Sequence, residues 1–189
     1  MRDTEVTKAN TKIIMRRMIM NEMPDKLDTA IKKTTIKTGK YLTFTLEKEE
    51  YGIGILKVKE IIGMMVITSV PKTPDFVKGV INLRGKVIPV IELRSKFGMK
   101  SIPYSDRTCI IVVEIDSNEM TIQIGIVVDS VSEVLNIIED EIEGTPAFGT
   151  RLNTGYILGM AKTKEGVKIL LDIDQVLSTD ELMVFDKIV

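Results

Sequence analysis

The chain has 189 residues, 44% of them hydrophobic and 28% charged, which fits one globular domain or two small ones sharing a core. Histidine is absent and Cys109 is the single cysteine, which excludes imidazole bases, Ser-His-Asp and Cys-His nucleophile systems, disulfides within the chain and every multi-cysteine metal site. The formal net charge of −1 argues against a general nucleic-acid binder.

Residues 1–40 carry ten Lys/Arg against five Asp/Glu and no aromatic residue, and hold five of the eleven methionines. Ile14, Met18 and Ile19 share one helical face, but Pro24 ends that pattern early, and so short a helix is marginal by itself. This stretch reads as a disordered N-terminal extension. Its most apolar part, Ile13 to Met20, is broken by Arg16-Arg17, and nothing in the chain approaches the run of about 18 apolar residues that a membrane span needs. A cytoplasmic location is expected, with no membrane insertion.

From Tyr41 the pattern changes to short strands. Tyr41–Leu46 alternates in polarity and Glu47–Glu50 turns the chain into Tyr51–Leu56. Val80–Leu83 and Val87–Ile91 flank Arg84-Gly85-Lys86, a hairpin in which Gly85 supplies a positive φ. Pro89 donates nothing to a ladder, so its strand is expected at an edge or a bulge. Cys109–Ile115 and Met120–Val128 form a second hairpin, and Tyr156–Met160 with Val167–Ile173 a third. The best helix is C-terminal, where Ser178-Thr-Asp-Glu181 is a capping box. Charge is uneven along this body: 57–100 has nine bases and three acids, while 129–143 has six acids and no base. Such a division suits a surface that docks several protein partners, though charge by itself reads equally as two ordinary solvated faces.

The strand blocks repeat. Val58-Lys-Glu-Ile61 matches Val131-Ser-Glu-Val134 at an offset of 73, and Gly79 with its hairpin matches Gly159 with its own at an offset of 80. Two divergent copies of a small all-β unit, each too thin to be stable alone, account for both offsets and point to a pair of packed barrels.

Catalytic signatures are missing. There is no phosphate-cradling glycine loop, and Gly52 and Gly54 lack the rest of a dinucleotide fingerprint. Glu139-Asp-Glu-Ile-Glu143 lacks EF-hand spacing and reads as a solvated loop or helix start. Cys109 opens an apolar strand, where a cysteine is a small hydrophobe rather than a nucleophile. The informative tetrapeptide is Asn82-Leu-Arg-Gly85, in which a buried strand delivers the planar donors of Arg84 to a hairpin tip.

Phe44, Tyr51-Gly-Ile, Val58-Lys-Glu-Ile61, Val70-Pro71, Pro74, Lys78–Gly85, Pro89–Arg94 and Phe97 together resemble the first half of the CheW family of chemotaxis coupling proteins. Gly125–Val131, the Pro146 region, Leu158-Gly159 and Ile169–Asp172 are similar to its second half. The resemblance spans 41–187. It implies an all-β fold of two SH3-like or OB-like five-stranded β-barrels packed together with a few short helices, divided at about 41–104 and 105–187, with strand exchange between them allowed. It further implies a non-enzymatic adaptor, without cofactor or metal, joining the regulatory domain of the histidine kinase CheA to the cytoplasmic tips of chemoreceptors (methyl-accepting chemotaxis proteins). The implied receptor-binding residues are Val58, Glu60, Gly79 and Arg84, with Cys109 nearby. Phe148 matches a loop of the family's contacts with the kinase, and Ile62 and Ile67 stand as candidates for the other kinase contact. The same domain also ends CheA and begins CheV, but this length leaves no room for a kinase or receiver module, so a stand-alone coupler is expected. The competing class is a small barrel that binds nucleic acid. It is favoured by the basic stretch 57–100 but opposed by the charge balance and the lack of clustered aromatics.

Overall fold

The computed structural model describes residues 38–117, 120–144 and 155–186. The expected N-terminal extension lies, but for its last three residues, outside them, and so do Pro146 and Phe148. The described chain is mostly β. Its strands are β1 (Gly39–Leu46), β2 (Glu49–Gly54), β3 (Val58–Gly63), β4 (Val77–Leu83), β5 (Lys86–Glu92), β6 (Cys109–Ser117), β7 (Met120–Val128), β8 (Ser130–Ile137), β9 (Ile142–Glu143), β10 (Ile157–Thr163) and β11 (Gly166–Leu171). Short helices cover Leu93–Lys96, Ile173–Val176 and Thr179–Asp186. No helix among the described residues is long and apolar enough to cross a membrane.

The strands form two sheets. The first has the order β8-β1-β2-β11-β10-β9 and the second β3-β6-β7-β5-β4. Alternation along each strand assigns neighbouring side chains to different cores. On β6, Ile111, Val113 and Ile115 join a large core with Leu42, Phe44, Ile53, Ile91 and Leu171, which come from both sheets. Ile110 and Val112 face the other way, into a core of the second sheet alone with Ile81, Ile88, Val90 and Val127. Tyr41, Ile137, Ala161 and Leu170 make the matching core of the first sheet. Each sheet is therefore buried on both faces, one against its partner and one against itself.

The edges of each sheet approach one another. In the second, Thr68, just past β3, exchanges backbone hydrogen bonds of 2.8 and 2.9 Å with Val80 of β4. In the first, the exposed 3-10 turn Glu139–Glu141 leads from edge strand β8 to edge strand β9, so the acidic run is a solvated turn. The first sheet has six strands rather than five because of the two-residue β9.

The repeat is visible in the pairing. The β4–β5 hairpin joins β7 through a parallel contact at Gly125, and the β10–β11 hairpin joins β2 through a parallel contact at Gly52. Gly52 and Gly125 are 73 residues apart, the offset read from the sequence. The third strand of each copy, β3 or β8, pairs with the first strand of the other copy. The 104/105 position falls inside the second sheet, between β5 and β6.

Two local expectations meet the structure differently. The strand carrying Pro89 is internal, flanked by β4 and β7, and of the edge or bulge expected it is the bulge that is found, a register shift between Val77 and Gly79 next to the Val80–Pro89 pair. Pro89 is tolerated because β7 pairs only from Val90 onward and because its partner Val80 directs its own backbone groups to Thr68, so the ladder asks no N–H of it. The C-terminal capping box is made in both directions. The Ser178 amide donates to Glu181 Oε2 at 2.7 Å and the Glu181 amide to Ser178 Oγ at 3.3 Å.

Candidate functional site

Arg84 and Gly85 form a two-residue turn between β4 and β5, closed by the pair Leu83 and Lys86. Both have positive φ, 53° and 86°. A primed turn of this kind matches the twist of the strands, and Gly85 meets its backbone demand without strain, as read from the sequence. Arg84 does so at a cost, since a left-handed backbone is uncommon outside glycine. Its side chain is 78% exposed, and Nη2 donates to Glu60 Oε1 on β3 at 2.6 Å. The pair spans the two edges of the second sheet, 24 residues apart in sequence.

Glu60 reaches that position through a bulge. The β3–β6 register shifts between Val58, opposite Val113, and Glu60, opposite Val112. Strict alternation would put Val58 and Glu60 on one face; the extra residue turns them to opposite faces. Val58 thus packs, half-buried, on the large core, while Glu60 turns toward Arg84. Lys59, at the bulge, pairs with Glu114 at 2.8 Å.

Gly79 is buried, and its place is explained by backbone. At φ 138° an added Cβ would lie 2.0 Å from the Thr68 carbonyl oxygen. Its counterpart Gly159 is roofed in the same way by the Glu143 carbonyl, 2.8 Å from an added Cβ, and both glycines follow a register shift in their hairpin. Gly79 therefore shapes the surface around Thr68 from below. Cys109 pairs with Gly63 at the far end of β3. It stands three residues along β6 from Val112, roughly 10 Å at the usual strand rise. Burial pushes its thiol above the ordinary value, only partly offset by a hydrogen bond from the Val131 backbone. The structure joins Glu60 to Arg84, sets Gly79 beneath the neighbouring loop, and leaves Cys109 apart.

Behind the hairpin lies a buried charge network whose residues the sequence analysis did not single out. Glu92, 2% exposed, accepts from Lys78 Nζ at 2.7 Å and from Ser95 Oγ at 2.7 Å. Burial alone would raise its carboxyl, but these hydrogen bonds outweigh it and hold the group below the usual carboxylate range. Tyr104, desolvated beside that carboxylate, is pushed up to about 12. Arg94, buried, donates from Nε and Nη2 to the two oxygens of Asp129 at 2.7 and 2.5 Å, and from Nη1 to the Lys100 carbonyl at 3.1 Å. The Glu47 amide also donates to Asp129, at 2.8 Å. Arg94 so fastens the β1–β2 turn, the β7–β8 junction and the loop after the helix at Leu93–Lys96 to one another. The only sequence sign of this role was a charged residue following an apolar strand, which is equally the sign of a solvated turn.

Of the kinase-side candidates, Ile62 and Ile67 pack, half-buried, on the core of the second sheet. Their neighbours face solvent instead: Ile61 at 45%, Met65 at 38% and Val66 at 87% exposure. Four of the aromatics, Phe44, Tyr51, Phe97 and Tyr156, stack on one another at 5.9, 5.9 and 5.1 Å rather than standing free for a base.

Comparison with known proteins bears on the family and the fold. A family model described as the CheW-like domain matches residues 40–181. The chain is 43% identical over 148 residues to the chemotaxis protein CheW of Klebsiella aerogenes, covering 78% of this chain and 87% of that one. It is 33% identical to the chemotaxis protein CheW of Helicobacter pylori, covering 74% and 82%. Among solved structures, the scaffolding protein TtCheW of Thermoanaerobacter tengcongensis superposes with a TM-score of 0.67 at 36% identity, covering 77% of this chain and 96% of that one.

Proposed function

The chain belongs to the CheW family of chemotaxis scaffolding proteins, which are adaptors rather than enzymes, and on that premise we propose that it joins the histidine kinase CheA to the cytoplasmic tips of chemoreceptors. The receptor-facing surface in this reading is built on Glu60 and Arg84 and shaped from below by Gly79, while Val58, turned to the opposite face, supports β3 from the large core. Cys109 belongs to its margin. The observation that carries the reading is the ion pair at the hairpin tip. Two residues implied by the resemblance, 24 residues apart and on opposite edges of one sheet, meet at 2.6 Å, with the guanidinium still mostly solvated.

An exposed ion pair contributes about 0–1 kcal/mol to stability, so the fold does not depend on this one. It is inexpensive to open, and a partner carboxylate or carbonyl can take over the donors of Arg84 that Glu60 leaves free. The kinase-facing surface is proposed on the exposed residues Met65 and Val66 beside Ile62 and Ile67, together with Phe148, which lies outside the described residues. A scaffold of this kind acts by fixing geometry. Receptor state biases kinase state to the extent that contacts through the adaptor differ between states.

The test is a titration of a soluble receptor-tip fragment, and separately of the CheA regulatory domain, into wild type, Arg84→Glu and Val66→Glu. Arg84→Glu should lose the receptor fragment and keep the kinase domain, and Val66→Glu should do the reverse. Receptor binding by Arg84→Glu equal to wild type would remove the receptor surface from this hairpin.

A further inference from the structure

We propose that Asn82 is a positioning residue for the Arg84 guanidinium, an inference that rests on the receptor-binding reading of the hairpin. The Asn82 carboxamide oxygen accepts the Gly85 amide at 2.8 Å, across the base of the two-residue turn. That bond ties the strand residue before the turn to the second turn residue, and Arg84 lies between them. Arg84 is one of three non-glycine residues with positive φ among those described, together with Glu47 and Lys72. In this backbone its side chain leaves the hairpin toward β3 and reaches Glu60. With φ negative at Arg84 the turn would splay the strands and the side chain would leave on a different bearing.

The second copy of the hairpin offers a comparison. In the β10–β11 hairpin, 80 residues on, Lys162 stands at the position of Asn82 and Lys164 at that of Arg84. Lys162 has no acceptor to offer the turn and instead donates to Glu143 at 2.5 Å. The positive φ there falls on Gly166, and Lys164 has none. Where the asparagine is absent, the basic turn residue is not left-handed and makes no ion pair across the sheet among the described residues. The left-handed arginine, the asparagine and the glycine after the arginine occur together in one copy and are all missing from the other, where Glu165 stands at the position of Gly85, so a double-mutant cycle is needed to isolate the asparagine.

The experiment is a double-mutant cycle in receptor-fragment affinity, using wild type, Asn82→Ala, Arg84→Ala and the double variant, with Asn82→Asp as the conservative replacement. Asn82→Ala is expected to weaken binding about tenfold, a coupling typical of groups that share one hydrogen-bonded turn. Asn82→Asp keeps the acceptor and should stay within about threefold of wild type. In the Arg84→Ala background, removing Asn82 should have no further effect, which a general loosening of the fold would not reproduce. Kinase-domain affinity serves as the folding control and should hold in every variant. Equal losses in both backgrounds, or wild-type affinity for Asn82→Ala, would overturn the proposal and leave the receptor surface standing. Wild-type affinity for Arg84→Ala would remove that surface and the proposal with it.

Discussion

Gly79→Ala tests whether this glycine is dictated by backbone approach. The added Cβ would stand 2.0 Å from the Thr68 carbonyl oxygen, 2.7 Å from its carbon and 3.0 Å from the Ser69 Cα. Ordinary contacts between such atoms begin near 3.5 Å, so the segment must retreat by about 1.5 Å. That retreat breaks both hydrogen bonds between Thr68 and Val80, 2.8 and 2.9 Å long, each worth about 1 kcal/mol. A non-glycine residue held at φ 138° adds backbone strain of about 1–3 kcal/mol. The expected total is about 3–5 kcal/mol, among the larger costs of a single substitution. Urea unfolding with an unchanged m-value would measure it as a fall in midpoint. Gly85→Ala is the matched control. It has positive φ but nothing within 4 Å of an added Cβ, so only strain of about 1–2 kcal/mol is expected. Gly159→Ala should fall between them, since it meets Glu143 and Ile142 at 2.8 and 2.9 Å without a left-handed φ. A cost below about 1 kcal/mol for Gly79→Ala, or one no larger than for Gly85→Ala, would refute the close-approach argument.

Arg84→Glu sets two carboxylates face to face at an exposed site, so it should cost no more than about 1 kcal/mol in a thermal melt while receptor binding fails. Arg94→Ala leaves Asp129 partly buried and unpaired and should cost about 3–5 kcal/mol by chemical denaturation, unlike the exposed pair at Lys162 and Glu143. The Asp129 and Glu92 carboxyls are held below their ordinary values in the folded state. Their contribution is therefore fully present above the unfolded carboxylate range and is lost as pH falls through the folded values; Asp129→Asn should flatten that acid-side decline in pH-dependent melts. Cys109, with its thiol raised by burial, should react with a disulfide reagent at pH 7 more slowly than free cysteine, and equal rates would contradict its placement.

The hairpins and the internal repeat were legible because period-two alternation and turn glycines are local signals, and Gly85 behaves as its turn position requires. The capping box at Ser178 was legible for the same reason. β3 and β8 were harder. Val58-Lys-Glu-Ile61 was recognised as half of a repeat rather than as a strand, because its bulge spoils the alternation by which a strand is read. That bulge also hid the meeting of Glu60 with Arg84, which no spacing along the chain encodes. Pro89 marks a missing donor, but whether that means an edge or a bulge depends on where β7 ends and on the register shift at Gly79. Ile62 and Ile67 were chosen as apolar residues in an apolar segment. The sheet decides which of that segment faces water, and Met65 and Val66 take that role. Asp129 and Arg94 sit beside strands, where a buried clamp and a solvated charge look the same in sequence.

The order in which the two sheets draw on the chain sets when each is completed during synthesis. Every strand of the second sheet lies in one continuous stretch, from Val58 to Val128. The first sheet takes β1 and β2 from before that stretch and its remaining strands from after it. At about 5–20 residues per second, the 117 residues from Gly54 to Leu171 take roughly 6–23 seconds to emerge. Until Ile137 emerges the β1–β2 hairpin has neither β8 nor β11 to pair against, and for the rest of the interval it still lacks β11, the kind of unpaired edge that chaperones guard. Truncation anywhere between Val128 and β10 would leave the second sheet with all of its strands and the first without the pair that closes it.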